Sequence, residues 1–218
     1  MLPFSFADWS FDITELEACM RLGARLDLTH ATEAMRTVME DFERLLFEGS
    51  TVYSYDGQDI YGYLTHPQAA TIDATGDWAT PGNIYTTIQA MYAVMIARRR
   101  SAGPFAVYMN PYQWGLMRAE SGVDRSYSVF QKVRDSFPEI VSWRPNDFVP
   151  PGTLVMVELA QRTVDLAIRM DPANVPWELM GGLKVHTRTI GSITPRIKSD
   201  AEGLTGIVIA DNAGVPPP

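Results

Sequence analysis

Residues 29–49 read Thr29-His30-Ala31-Thr32-Glu33-Ala34-Met35-Arg36-Thr37-Val38-Met39-Glu40-Asp41-Phe42-Glu43-Arg44-Leu45-Leu46-Phe47-Glu48-Gly49, and their spacing is that of one long amphipathic helix. Ala31, Ala34, Met35, Val38, Met39, Phe42, Leu45 and Leu46 recur three and four residues apart, which places them on one stripe over about five turns. Glu33, Arg36, Glu40, Glu43 and Glu48 fall on the opposite face. Asp27 or Thr29 supplies the N-cap, and Gly49 stops the helix.

Working outward toward the N-terminus, Glu15 to Leu22 predicts a short helix closed by Gly23. Phe4 to Ile13 alternates in part and predicts a strand or a bent extended arm. On the other side, residues 50–80 are polar and rich in turn formers. Asp56-Gly57 is a tight-turn signal, Ile60, Tyr61 and Tyr63 form a short apolar strand, and His66-Pro67 breaks it. Thr80-Pro81 then opens a second long helix with the buried stripe Ile84, Ile88, Met91, Tyr92, Met95 and Ile96. Arg98, Arg99 and Arg100 close it, where cations complement the helix dipole, and Gly103 ends it.

Beyond Gly103 the pattern alternates. Phe105–Met109 is a compact strand, Asn110-Pro111 starts a short helix, and 119–126 is a polar loop. A helix through Val129 and Val133 and a strand at Ile140–Trp143 follow. Pro150-Pro151-Gly152 marks a hard turn, after which Leu154–Leu159 and Val164–Met170 are expected to form a hairpin. In the second strand Val164, Leu166, Ile168 and Met170 share a face. Leu183–Ile190, Ile193–Ile197 and Ile207–Ile209 are expected to complete an extended region, and 213–218 to be a loose tail.

The composition narrows the function classes. With 218 residues, 46% hydrophobic and 20% charged, the chain can bury a core without disulfides or metals. Its apolar runs stop short of the roughly 18 residues that a membrane span needs, and Met1-Leu2-Pro3 opens no signal-peptide pattern. The single cysteine, Cys19, forms no internal disulfide and fits a reducing compartment. The net charge of −8 is uneven: residues 1–81 hold four basic and fourteen acidic side chains, and the remainder nets +2. Direct nucleic-acid binding, which needs clustered Lys and Arg, is disfavoured.

No catalytic constellation emerges. His30, His66 and His186 lie on separate elements without metal-ligand spacing. Cys19 has no neighbouring base, and Ser121 lacks the nucleophile-elbow glycines. Glu40 and Asp41 diverge by about 100° on a helix, so they cannot share a proton. Gly181-Gly182 lacks a phosphate-loop lysine. The expectation is therefore a chain with no catalytic, cofactor-binding or metal residues, needing no cofactor and acting through its surface.

One ordered set of segments resembles a known family. Trp9-Ser10-Phe11-Asp12-Ile13-Thr14-Glu15-Leu16-Glu17 is similar to a strand returning from an extended loop, and Leu26-Asp27-Leu28-Thr29 with Glu43-Arg44-Leu45-Leu46-Phe47-Glu48-Gly49 bounds a spine helix. Ile60-Tyr61-Gly62-Tyr63-Leu64-Thr65-His66-Pro67, Thr80-Pro81 and Gly103-Pro104-Phe105-Ala106-Val107-Tyr108-Met109-Asn110 follow in matching order. From about residue 8 to 210 the chain resembles the major capsid proteins of tailed bacteriophages with the Hong Kong 97-like fold, and the related encapsulins.

That resemblance implies an α+β protein. Residues 1–81, with the spine helix at 29–48, and the returning strands at 174–212 would form a peripheral domain around an inserted axial α/β domain at 82–173. Only residues 1–28 precede the helix, so the family's N-terminal arm and extended loop are expected to be missing or shortened. Some relatives crosslink through a loop lysine, but no lysine precedes Lys132, and no catalytic residue carries over. The implied partner is the chain itself, in pentamers and hexamers of an icosahedral shell around double-stranded DNA that is held non-specifically. Scaffold, portal or decoration proteins would join it, without a membrane, in a virion assembled in the bacterial cytoplasm. The alternatives are an encapsulin-like nanocompartment and a small α/β enzyme with an unrecognised site.

Overall fold

The computed structural model describes residues 3–22, 28–55, 58–78, 80–99, 103–118, 128–179, 181 and 183–212. The expected turn at Asp56-Gly57, the caps at Gly23 and Asp27, the loop 119–126 and the tail 213–218 lie outside the described residues.

The elements run β1 (Ser5–Asp12), α1 (Ile13–Leu22), α2 (Thr29–Glu48), β2 (Gly49–Tyr55), β3 (Gln58–Tyr61), β4 (Ala70–Asp73), α3 (Pro81–Arg99) and β5 (Phe105–Met109). They continue with α4 (Pro111–Met117), α5 (Val129–Ser136), β6 (Ile140–Pro145), β7 (Thr153–Glu158), β8 (Val164–Leu179), β9 (Lys184–Ile197) and β10 (Ile207–Asp211). The long helix occupies the span its apolar period predicts, and the second begins at Pro81 as its capping pattern requires. Asn110 caps α4, and Ser128 with Gln131 forms a reciprocal capping box on α5.

The chain divides into two compact units. The first comprises Met1–Leu46, Ser50–Ile60 and Leu166–Pro195. Its main sheet has the order β1-β9-β8, and β2 pairs β3 in a two-stranded ribbon. β1 runs antiparallel to β9, with Phe11 opposite Val185 and Ser5 opposite Gly191. Alternation sends Trp9 and Phe11 to one side, where their rings meet edge to face at 5.1 Å. On the same side helix α2 comes so close that a Cβ at Gly191 would lie 2.8 Å from Phe42 Cζ.

The second unit comprises Phe47–Gly49, Tyr61–Asp165 and Arg196–Pro218. Its mixed sheet has the order β4-β10-β7-β5-β6. One face carries Phe105, Val107, Met109, Leu154, Met156 and Val208 into a core shared with Ile84, Ile88, Met91 and Met95 of α3. The other face carries Tyr108, whose ring meets Phe47 at 5.2 Å and Tyr63 at 5.8 Å. β7 is buried at every position, and its centre, Leu154–Val157, is accordingly apolar throughout.

Two expectations need correction. Leu154–Leu159 and Val164–Met170 do not form a hairpin: β7 is paired on both edges, with β10 and β5, and β8 belongs to the other sheet. Ile207–Ile209 does not extend β9; it pairs with β7 and β4 as β10. Residues 61–81 and 196–212 fold with the five-stranded sheet in the second unit. In each case local alternation marks a strand but carries no information about its partner.

The end of α2 shows why one glycine is required. Gly49 adopts a φ of 72°, as a helix C-cap residue does. Leu64 N donates to Phe47 O and Thr65 Oγ1 donates to Glu48 O, both at 2.9 Å, so the last helix carbonyls are satisfied by the 62–65 turn. That turn passes so close that a Cβ on Gly62 would lie 2.4 Å from Phe47 O. Gly62→Ala is therefore expected to lower unfolding free energy by about 3 kcal/mol through overpacking. Gly115→Ala, on α4 where a Cβ meets no atom within 4 Å, should be neutral or stabilising by about 0.5–1 kcal/mol. Paired urea titrations check both.

Candidate assembly surfaces

The residues weighed for chemistry stay apart. His30 is exposed on α2, and Cys19 is half-buried on α1. His66 Nδ1 accepts from Gln68 N at 3.2 Å, and burial pulls its pKa below the ordinary value. His186 stacks on Trp177 at 5.8 Å. Glu40 pairs with Arg36 and Asp41 with Arg44, so these carboxylates serve helix-surface ion pairs. Ser121, Gly182 and Arg100 lie outside the described residues. Among the described residues no group of three or more His, Cys, Asp or Glu side chains could hold a metal.

Strand edges and exposed apolar side chains stand out instead. β8 is 16 residues long and lies at the edge of the β1-β9-β8 sheet, with no strand on its outer side among the described residues. Leu166 and Ile168, two residues apart and so on one face, are 52% and 56% exposed. Val175, further along the strand, is exposed as well. In the same unit Val52 of the β2–β3 ribbon is 85% exposed, and Met20 and Leu22 of α1 are exposed too. A long strand edge with apolar side chains invites pairing by another chain. The alternation of Val164, Leu166, Ile168 and Met170 was legible from the sequence, but not that the face stays uncovered.

Polar clasps hold these strands in place. Asp8 of β1 and Arg188 of β9 form a two-pronged pair at 2.6 and 2.7 Å, and the Arg188 guanidinium lies 4.5 Å from the Phe6 ring. The hydrogen bonds from Arg188 hold the Asp8 carboxyl below its ordinary pKa. In the second unit, where β8 begins and β9 ends, Asp165 accepts two hydrogen bonds from Arg196 at 2.7 Å and pairs with Lys198 at 2.6 Å. Arg196 first, then Lys198, lowers the Asp165 pKa from 3.8 to about 2.

The fold so built is that of shell-forming proteins. The virus-like particle from Pyrococcus furiosus matches with a TM-score of 0.72 at 16% identity, covering 96% of this chain and 77% of that one. The capsid of Myoviridae phage XM1 matches with a TM-score of 0.69 at 15% identity, covering 97% and 74%. A holo encapsulin complex from Synechococcus elongatus matches with a TM-score of 0.56 at 12% identity, covering 97% and 74%. The class is therefore the Hong Kong 97-like capsid and encapsulin fold. A family model, Linocin_M18, described as encapsulating protein for peroxidase, matches residues 2–173. The chain belongs to that family, and it is a shell protein of the capsid and encapsulin class. No curated protein matches it in sequence.

Two outcomes are expected. L166D together with I168D should abolish particles seen by electron microscopy while leaving the far-ultraviolet circular dichroism spectrum unchanged. Because the folded Asp165 pKa is depressed, its contribution to stability is complete above about pH 4 and is lost as pH falls toward 2. Acid unfolding followed by circular dichroism should show D165N losing less stability than the parent across that window.

Proposed function

We propose that the chain is the repeating subunit of an encapsulin-type compartment whose content is a folded protein, of the peroxidase class that the family's description names. The observation that carries this reading is the family match, which is made on the sequence and takes in residues 2–173. The second unit then takes the place of the axial domain at the centre of each ring, and the first unit that of the peripheral domain. Head-to-tail contacts between neighbours close into rings when the rotation per subunit returns to its start. Each contact can be modest, because every subunit makes several at high effective concentration. Such a shell does its work by enclosing, with no residue of its own taking part in chemistry.

A phage head around double-stranded DNA is the second reading, favoured by the match to the Myoviridae phage XM1 capsid over 97% of this chain. The net charge of −8 suits it as well, since a wall that bound phosphates strongly would impede packing and release. Scaffold and portal partners and a virion location belong to that reading.

Particles purified from cells that carry the chain's own gene neighbourhood separate the two. Closed shells holding one protein species, with no nucleic acid protected from nuclease, are the expected result. Nuclease-resistant DNA of uniform length would replace this reading with the phage head. A monomer at high concentration would overturn both.

A further inference from the structure

Residues 164–170 of β8 read Val164-Asp165-Leu166-Ala167-Ile168-Arg169-Met170, a stretch that keeps its chemical pattern when read backwards. Counted outward from Ala167, Leu166 is matched by Ile168, Asp165 by Arg169 and Val164 by Met170. Two identical strands paired antiparallel about a two-fold axis set each residue opposite the one equally far beyond the axis. With the axis at Ala167, each apolar side chain therefore meets an apolar one, and each charge meets its opposite.

The backbone permits this pairing on the outer edge. β9 is the neighbour of β8 in its sheet, and the other side of β8 faces no strand among the described residues. Pro172 and Pro176 lie within β8 and have no N–H to donate, so their nitrogens sit on the edge away from β9. Backbone groups alternate along a strand, so residues 164, 166, 168 and 170 turn N–H and C=O outward as well. Paired about Ala167, they form hydrogen-bonded pairs that exchange roughly eight bonds in all. Ala167 then lies opposite the partner's Ala167 at a non-hydrogen-bonded position, where Cα atoms approach to about 4.5 Å and a methyl group fits. The paired stretch runs from the first residue of β8 to the last turned outward before Pro172.

Other registers match less well. With the axis at Ile168, Asp165 stands opposite the partner's Asp171. With the axis at Leu166, Met170 stands opposite the partner's Arg162, and Asp165 no longer meets Arg169. A one-residue slip sets the apolar face of one strand beside the charged face of the other. In the favoured register Leu166 and Ile168, 52% and 56% exposed in the single chain, cover one another. On the opposite face the partner's Arg169 and Asp171 arrive beside Asp165, Arg196 and Lys198, so two carboxylates meet three cations.

We propose that β8 pairs antiparallel with β8 of a second copy of this chain about a two-fold axis at Ala167, fusing their three-stranded sheets across the edge. Such a contact is isologous, unlike the head-to-tail contacts within a ring, and it joins one ring to the next. That place in the assembly rests on the shell reading; the pairing rests on the edge itself.

Two full-length chains test it, C19S with A167C and, as control, C19S with A173C. Ala173 is exposed on the same strand, yet an axis at Ala167 holds its two copies about 40 Å apart. Each chain is oxidised mildly and followed by non-reducing electrophoresis and electron microscopy. The A167C disulfide is expected to form about tenfold faster than the A173C one, because the paired Cα spacing suits the bond and pairing raises the local thiol concentration. Adding R169D, which sets aspartates opposite each other, should slow A167C to the control rate, whereas R169K should not. Circular dichroism checks that each variant folds. A fast A167C crosslink that R169D leaves unchanged would overturn the register and the proposal with it. Particles in which A167C crosslinks no faster than A173C would overturn the pairing and leave the shell reading standing. A167C dimers without particles would support the pairing and overturn the shell reading. Neither particles nor crosslink would overturn both.

Discussion

An unsatisfied strand edge is the constraint on which this molecule turns. The β1-β9-β8 sheet ends on a 16-residue strand whose outer N–H and C=O groups face no other strand among the described residues, with Leu166 and Ile168 exposed on it. A monomer built to stay alone would blunt such an edge with charge, proline or a covering helix. Here Pro172 and Pro176 interrupt part of the strand, yet the Leu166–Ile168 stretch is left bare. A chain that keeps this surface in water has its free-energy minimum in company, and shell proteins are the class in which that company is other copies.

Polar contacts and close packing fix the strands and the helix end within each unit. Asp8 and Arg188 lock β1 to β9 with two short charge-assisted bonds, and Arg188 also caps the Phe6 ring. Asp165, Arg196 and Lys198 hold together the point at which β8 leaves the second unit and β9 returns to it. At the end of α2 the 62–65 turn satisfies helix carbonyls that would otherwise be orphaned, at a spacing that tolerates no side chain on Gly62. Self-assembly gains from such rigidity, because a surface that is ordered before contact loses less entropy on contact.

Periodicity made the helices legible. The eight apolar positions between Ala31 and Leu46 admit one helix, and Thr80-Pro81 and Asn110-Pro111 mark helix starts by chemistry that operates within four residues. The candidate surface was half legible: Val164, Leu166, Ile168 and Met170 alternate, but the same alternation describes a strand packed on a core. The buried pair of Trp78 and Thr87, where the indole N–H donates to a hydroxyl at 3.2 Å, left no pattern, since a threonine on a helix reads as solvent-facing. β4 was missed for a similar reason: four residues beside turn formers carry too little alternation to stand out.

By itself, then, the order of residues determined which segments are helices and where α2, α3 and α4 start. Those properties depend on interactions spanning a few residues, and the sequence records them directly. The partners of β7, β8 and β10, the packing of Gly62 against a helix end, and the bare face of β8 were decided only in the folded molecule. Each depends on which of several chemically equivalent surfaces meet, and that choice is made by packing between segments well beyond the few residues that local pattern spans.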